Sequence, residues 1–417
     1  MTQENVLPDH VSDPVRRLAR TVSVGRRRTA RYLAIFLAPI LIAALILATL
    51  YAFLLRVEET TGPISAARLQ DETGTLYGPA LVYRPFAYKL ERYRLKSPDI
   101  LLVGSSRVMP FAGEVFSGSV INAGGAANTL DQAVTLTRAA VAIHKPTSIL
   151  LGLDFWWFNP NRDDEIDATG TLSDEVEISL TQLMTPVQWV ADDAIHLSSF
   201  LEGLSPFHDL PHGIGAFAKF GGRGWDVYGR YDYGTLIDGG MKNDDKQFKR
   251  TLKRLQSAKK SSKMNVHVAP SAQSLQQLRD LVRELEAQSI EVILLVTPLA
   301  GPVQAAMDQD SENRLVPLWR DALGSIGARL FDFSDAGALG SSDCEFVDGF
   351  HGGEVTYLRI LDAIGTFGGT ALGQAIDRDM VTGLIASNAG HARLRELRPG
   401  DVPPEIDFLD LGCDKGL

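Results

Sequence analysis

Short apolar runs alternate with stretches of helical periodicity along most of the chain after residue 98. Five of these runs have the length of a buried strand, namely 100–103, 119–122, 148–153, 291–296 and 328–333. Between them, residues such as Leu275, Leu278 and Val282 recur at the spacing of one helical face. Such alternation is typical of βαβ units. We therefore predict an α/β fold, a three-layer αβα sandwich with a central, mostly parallel five-stranded sheet.

The block 155–264 interrupts this alternation. It is too long for a simple connection between two elements, so we interpret it as an insertion over the carboxyl edge of the sheet. Trp156 and Trp157 follow directly from a strand and are expected to pack. The aromatic residues between Gly224 and Gly234 either stack on sugar rings or pack a small subdomain, and the sequence leaves both alternatives open.

Residues 32–55 form a long apolar run without a charge. A helix of this length crosses a hydrocarbon core of about 30 Å. Arginines are concentrated before the run and Glu58 and Glu59 follow it, which predicts a cytoplasmic N-terminus. The run exceeds the apolar part of a usual signal peptide, which favours an uncleaved signal anchor over a cleaved one. We expect a single-pass protein of the inner (plasma) membrane with a periplasmic, or otherwise extracytoplasmic, C-terminal domain.

These patterns divide the chain into segments. The predicted segments are a cytoplasmic basic tail (1–31), a transmembrane signal-anchor helix (32–55), a juxtamembrane stalk (56–97), an α/β domain (98–370) with the insertion 155–264, and a C-terminal tail (371–417).

Composition narrows the function classes. With 417 residues and 45% hydrophobic content, the chain can bury a large core. Residues 1–56 carry a net charge of +5 within a total of −10, so the remainder carries −15, which argues against a nucleic-acid partner. We predict no cofactor and no metal site. His208 and His212 have a helical ligand spacing, but Pro211 lies between them.

Cys344 and Cys413 are the only two cysteines, too few for a metal cage or a disulfide framework. In an oxidising compartment they either pair, joining the C-terminal tail to the loop before Asp348, or remain free thiols. The sequence leaves this open.

The first strand ends in Gly104-Ser105-Ser106. Gly104 supplies a tight turn that would lift Ser106 onto the start of a following helix, where free backbone N–H groups favour negative charge. A serine nucleophile there needs a base within hydrogen-bond reach and a carboxylate that orients the base. The alternative is that both serines merely cap a helix.

A D-x-x-H pattern, Asp348 and His351, lies on a glycine-flanked loop between the last strand and the last helix. Because functional groups of such sheets collect at the carboxyl ends of the strands, both side chains are expected near Ser106. The alternative is that Asp348 caps a turn and His351 caps the final helix.

These residues resemble the SGNH/GDSL hydrolase superfamily, whose first block is a strand followed by G-D-S and whose last block is D-x-x-H. Ser106 takes the nucleophile position, with Ser105 in the place of aspartate. The resemblance implies a Ser-His-Asp triad of Ser106, His351 and Asp348.

The middle blocks of that superfamily form the oxyanion side of the site. The second block resembles 122–127, which places Gly124 and Ala127 there, with Ala127 where a glycine is usual. The third block, G-x-N, resembles Gly152-Leu153-Asp154. An ionised Asp154 in place of an amide would repel the oxyanion, and losing one donor costs about 10²- to 10³-fold in rate.

The membrane anchor and the G-S-S form resemble proteins of bacterial cell-surface acylation, including periplasmic factors that O-acetylate exopolysaccharides and the D-alanyl transfer protein of teichoic acid operons. The resemblance implies acyl transfer through an ester on Ser106. The implied substrates are a glycan or an acylated small molecule, and the implied partners are the inner membrane and a membrane acyl-donor protein. Two alternatives are a hydrolase that removes acyl groups and a non-catalytic glycan-binding or assembly factor with a degenerate SGNH fold, which Asp154 favours.

Overall fold

A computed structural model describes residues 13–161, 172–239, 243–257, 262, 264–398 and 402–416. Parts of the predicted basic tail, insertion and C-terminal tail, namely 1–12, 162–171, 240–242, 258–261, 263, 399–401 and 417, lie outside the described residues.

Helices and strands alternate through the described chain. The helices are α1 (Asp13–Arg56), α2 (Pro63–Thr73), α3 (Pro85–Lys96), α4 (Leu130–Ile143), α5 (Leu180–Ala191), α6 (Leu197–Leu204), α7 (Ala216–Gly221), α8 (Lys249–Gln256), α9 (Ala272–Glu286), α10 (Gly301–Asp308), α11 (Leu315–Gly324), α12 (Glu354–Phe367), α13 (Ala371–Gln374) and α14 (Arg378–Asn388). The strands are β1 (Ile100–Gly104), β2 (Val120–Gly124), β3 (Ser148–Leu153), β4 (Gly224–Trp225), β5 (Tyr231–Asp232), β6 (Glu291–Val296) and β7 (Arg329–Asp332).

The central sheet has the strand order β2-β1-β3-β6-β7, and every pairing in it is parallel. The prediction of an α/β fold around five strands is confirmed, with an all-parallel sheet where a mostly parallel one was expected. From β1 the chain winds to β2 on one side and then to β3 on the other. Such a reversal opens a crevice at the carboxyl ends of the strands that diverge, here β1 and β3.

Helices cover both faces of the sheet, as near-continuous apolar strands require. Leu101 and Val103 face one core, which they share with α3, α4, α9 and α11. Ile100 and Leu102 face the opposite core, which is closed by α12, α13 and α14. The period-2 alternation of strand side chains thus divides the apolar residues between two layers of helices.

Residues 56–97, predicted as a juxtamembrane stalk, pack on the domain. Helix α3 packs beside β2 and α4, and it buries the basic side chains of Lys89 and Arg92. The Lys89 ammonium donates to the carbonyl of Asn122 at 2.8 Å, and Arg92 pairs with Asp71 at 2.9 Å. These partners offset the cost of burying the two charges.

The insertion divides between two locations. Helices α5 and α6 pack against the C-terminal end of α1. Trp225 on β4 is completely buried, with its ring centroid 5.1 Å from that of Tyr88 and 5.7 Å from that of Tyr77. For Trp225, the structure therefore shows packing of a subdomain.

The C-terminal tail also packs on the domain. Helix α14 lies against α12, and Cys413 forms a disulfide with Cys344, with Cα atoms 5.8 Å apart. The bond decides the question that the sequence left open, because it joins the end of the chain to the segment just before Asp348.

Among the described residues, α1 contains a stretch that is long and apolar enough to span a membrane, Thr29–Arg56. This agrees with the predicted membrane helix 32–55, although the helix itself begins earlier, at Asp13.

Candidate active site

The turn that carries Ser106 lies directly on the ends of two strands. It is a single 3-10 turn, Ser106–Val108, where the sequence suggested the start of a longer helix. Val108 lies so close to the sheet that a Cβ added at Gly104 or Gly152 would be 2.3 or 2.2 Å from its Cγ2 atom. Glycines at the ends of β1 and β3 therefore permit the close approach of this turn.

Ser106, His351 and Asp348 form one hydrogen-bonded series. The Ser106 hydroxyl lies 2.8 Å from His351 Nε2. The other ring nitrogen, Nδ1, lies 2.8 Å from both carboxylate oxygens of Asp348. The α/β topology thus brings together side chains 245 residues apart in the chain.

Asp348 is fixed by its own loop. The backbone N–H groups of Phe350 and His351 donate to its Oδ1 atom at 2.8 and 2.9 Å. Partial burial alone would raise the pKa of Asp348, but His351 and these hydrogen bonds outweigh that effect and lower it. An ionised Asp348 favours the tautomer in which His351 Nδ1 carries the proton and Nε2 can accept one from Ser106.

A second buried carboxylate supports the same loop. Asp245 accepts hydrogen bonds from the N–H of Gly349 at 2.9 Å and from the hydroxyl of Thr251 at 2.6 Å. Thr251 also lies against Gly349, where an added Cβ would be 2.6 Å from its Cγ2. The sequence analysis missed Asp245, because nothing local to residue 245 indicates a contact with Gly349, 104 residues later.

Asp154 pairs with Arg107, the residue that follows Ser106. Arg107 Nη1 donates to Asp154 Oδ1 at 3.0 Å, and both side chains are almost completely buried. Burial raises the pKa of Asp154, and the positive charge of Arg107 opposes that rise. The carboxylate expected to face the oxyanion therefore has a buried counterion of its own.

Arg107, which follows β1, also forms hydrogen bonds to the segments that follow β6 and β7. Its guanidinium donates to the carbonyls of Thr297 at 2.6 Å, Pro298 at 2.9 Å and Phe350 at 3.1 Å. Because Phe350 precedes His351, these bonds position the base relative to the serine turn. Two residues of the sequence could have indicated this pair. Arg107 is a charged residue next to Ser106, and Asp154 is an acid where the G-x-N motif of the resembled superfamily has asparagine.

The segment after β2 lies beside the serine turn, with its amides largely engaged. The N–H of Gly124 donates to Asn122 Oδ1 at 2.8 Å, and that of Ala127 donates to the Gly104 carbonyl at 3.4 Å. The N–H of Ser106, at the first position of its turn, has no acceptor among the residues described. The structure thus leaves Ser106 as the available backbone donor, while the roles predicted for Gly124 and Ala127 remain predictions.

The side chain of Asn122 forms hydrogen bonds with the chain that follows Ser106. Its Nδ2 atom donates to the carbonyls of Val108, Met109 and Phe111 at 3.0, 3.2 and 3.1 Å. Asn122, the first residue of the 122–127 segment, therefore holds the chain just after Ser106 in place.

Comparisons with protein families, with curated proteins and with solved structures found no match to this chain. Within the described ranges, no group of three or more His, Cys, Asp or Glu side chains is placed to hold a metal ion. The proposal for the function of this site therefore rests on its geometry.

Proposed function

We propose that this protein is a membrane-anchored, SGNH-like serine acyltransferase or esterase that acts on a cell-envelope glycan. The observation that carries the proposal is the series Ser106–His351–Asp348, with 2.8 Å separations, at the carboxyl edge of a parallel sheet. Partly exposed Ser106 lies next to the β1/β3 reversal, where ligands of such sheets bind.

The reaction has two halves. His351 Nε2 takes the proton of Ser106 as the oxygen attacks an acyl carbonyl, and it then returns that proton to the leaving group. Asp348 stabilises the imidazolium that forms in between. The acyl group now forms an ester with Ser106. In the second half His351 deprotonates a sugar hydroxyl or a water, which attacks the ester and releases the serine.

The oxyanion needs donors that are already in place. The N–H of Ser106 supplies one. An unpaired Asp154 carboxylate would repel the oxyanion. Arg107 Nη1 lies 3.0 Å from Asp154 Oδ1, and its positive charge reduces that repulsion.

The proposed location is extracytoplasmic, with the N-terminus in the cytoplasm. It is supported by the apolar part of α1 and by the Cys344–Cys413 disulfide, since such bonds persist in oxidising compartments. A glycan acceptor and an acyl donor delivered by a membrane protein fit that location. Both follow from the resemblance to surface-acylation proteins.

The second candidate is a non-catalytic glycan-binding or assembly factor with the same fold. It is favoured by Asp154 standing where an amide donor is usual and by the hydrogen bond from the Ala127 N–H to Gly104.

Labelling with a fluorophosphonate separates the two candidates. The full chain in detergent is treated with the probe, next to Ser106→Ala and, as a matched control, Ser105→Ala. An adduct that depends on Ser106 and survives Ser105→Ala supports the enzyme. No adduct on a folded wild-type chain would contradict it.

Transfer and hydrolysis are then distinguished with an acyl ester, with and without a sugar acceptor. For a transferase, we expect acylated sugar to form at the expense of free acid. Free acid in the same yield under both conditions identifies a hydrolase.

A further inference from the structure

The exposure of α1 changes sharply near its C-terminal end. Residues 29–49 are exposed, apart from the half-buried Leu47, and Leu50 is buried. From Tyr32, where the uncharged run begins, to Leu50 the helix rises about 27 Å at 1.5 Å per residue, close to the thickness of a hydrocarbon core. If α1 spans the membrane, the bilayer therefore ends close to Leu50.

One face of the end of α1, together with the residue that follows the helix, packs into the domain at this level, while Tyr51 and Leu55 stay exposed. Phe53, Leu54 and Val57 are completely buried, in a cluster that includes Trp189 of α5. The Phe53 ring lies 4.8 Å from that of Phe200 on α6. Helices α5 and α6 consequently lie beside the point where α1 leaves the bilayer.

Arg56 fixes the loop after α6 to the same point. Its guanidinium donates to the carbonyls of Gly203 at 3.3 Å and His208 at 2.7 Å, and also to that of Ser205. The loop contains Phe207, whose side chain is 96% exposed.

Helices α5 and α6 each carry exposed apolar side chains, next to the exposed polar residues Thr181, Gln188 and Ser198. Leu180, Met184 and Val187, at the spacing of one helical face, are 70%, 41% and 46% exposed on α5. Leu197 and Leu201 are 59% and 56% exposed on α6. Exposed apolar side chains grouped in this way mark an interaction surface.

We infer that this surface, formed by α5, α6 and Phe207, rests on the outer leaflet of the bilayer that α1 crosses. Its apolar side chains lie at the boundary between headgroups and acyl chains. Helix α6, which carries part of this surface, contacts the end of the apolar helix through Phe200 and Phe53, so the surface lies beside the bilayer and lipid is favoured as its occupant. The inference is independent of the proposed chemistry, and it rests on α1 spanning the membrane.

The contact is apolar rather than electrostatic. Within α5 and α6 Glu202 is the sole charged residue, and neither helix contains a lysine or arginine. Binding through acidic headgroups requires basic residues, so seating here depends on burial of apolar surface. A second contact also restricts rotation of the domain about α1, which gives the catalytic edge a defined orientation to the membrane.

Site-directed spin labelling tests this arrangement in the full chain. The described chain has no free cysteine, so Met184→Cys and Leu201→Cys each provide a single labelling position. Leu318→Cys on α11 is the matched control, since Leu318 is 42% exposed and α11 packs on the central sheet. Accessibility to oxygen, which partitions into lipid, and to a water-soluble nickel chelate is measured in phosphatidylcholine nanodiscs.

We expect the ratio of oxygen to nickel accessibility to be higher at 184 and 201 than at 318, and to be unchanged at high salt. Equal ratios at all three positions would overturn the inference, because the surface would then face water. Low accessibility to both reagents would also overturn it, since a protein partner or a second copy would then cover the helices. A ratio that falls at high salt would contradict the apolar mode.

Discussion

Individual side chains at the site are held by partners within the same loop and by partners from distant parts of the chain. Asp348 orients His351, and Arg107 balances Asp154 while donating to the Phe350 carbonyl. Each contact has a consequence that a single substitution can test.

Replacing Asp348 with Asn keeps the shape of the side chain but removes the charge that selects the His351 tautomer. We expect the rate at which the Ser106 oxygen displaces fluoride from a fluorophosphonate to fall by about 10⁴-fold, the loss seen when the corresponding aspartate of a serine triad is changed to asparagine. The rate is measured with the fluorophosphonate, and Asp335→Asn, an exposed acid outside the triad, serves as the control. An unchanged rate would exclude Asp348 as the residue that orients the base.

The same carboxylate predicts a pH effect on stability. Its pKa is lowered in the folded chain, so the stabilisation it contributes is fully present above the unfolded value of about 3.9. That stabilisation is lost as the pH falls through the lower, folded pKa. Urea midpoints of the wild type and of Asp348→Asn should therefore converge on acidification below pH ~4. A constant difference would contradict the lowered pKa.

The Arg107–Asp154 pair predicts strong coupling. Either Arg107→Met or Asp154→Asn leaves one buried charge without its counterion, which costs about 3–5 kcal/mol. The double variant should lose less unfolding free energy than the sum of the two single variants. The exposed pair Arg138–Glu284 is the matched control, where the coupling should be about 0–1 kcal/mol. Additive losses at the buried pair would show that the two charges do not interact.

Between elements, the site depends on how closely the serine turn lies on the strand ends. Val108 contacts the backbone of both β1 and β3, and Asn122 from β2 donates to the carbonyls of Val108 and of two residues just after the turn, Met109 and Phe111. The position of Ser106 is therefore set by three neighbouring strands together.

Gly152→Ala should displace the turn, because the new Cβ would lie 2.2 Å from Val108 Cγ2. We expect a loss of about 1–3 kcal/mol in stability and slower labelling of Ser106. Adding Val108→Ala removes the clashing methyl group and should restore much of the labelling rate. Gly324→Ala in α11, where an added Cβ has no neighbour within 4 Å, is the control. If Val108→Ala gives no rescue, the turn is not in contact with Gly152.

Across the molecule, the C-terminal segment is joined to the loop that carries Asp348 and His351. The disulfide closes a separation of 69 residues that contains Asp348, His351 and all of α12. Lys415 reinforces this closure by donating to the Cys344 carbonyl at 2.8 Å.

Removing the disulfide by Cys344→Ser with Cys413→Ser should lower stability by about 2–5 kcal/mol, since a long loop is freed in the unfolded chain. Thermal unfolding of the full chain in detergent, with and without a reductant, measures this. Reductant should lower the melting temperature of the wild type and leave that of the double variant unchanged. A wild type insensitive to reductant, with alkylatable thiols, would contradict the bond.

Local pattern was sufficient for the strands of the central sheet and for an apolar helix long enough to span a membrane. A run such as Ile100–Val103 is apolar on both faces, and a parallel sheet covered on both sides requires that composition. The 32–55 run could likewise be recognised from its own length and lack of charge, which are the properties that a helix needs to cross a hydrocarbon core. The Ser106 turn and the D-x-x-H loop could be located because each directly adjoins such an element.

Partners distant in the chain could not be predicted in this way. The balance of Asp154 by Arg107, the support of Gly349 by Asp245, the packing of residues 56–97 on β2 and the pairing of the two cysteines all depend on which surfaces meet after folding. Periodicity shows which residues of a segment share an apolar or a polar face. It depends only on that segment and does not show what the face packs against. The partner of a buried charge is set by the arrangement of strands and layers, and it becomes visible only when those are in place.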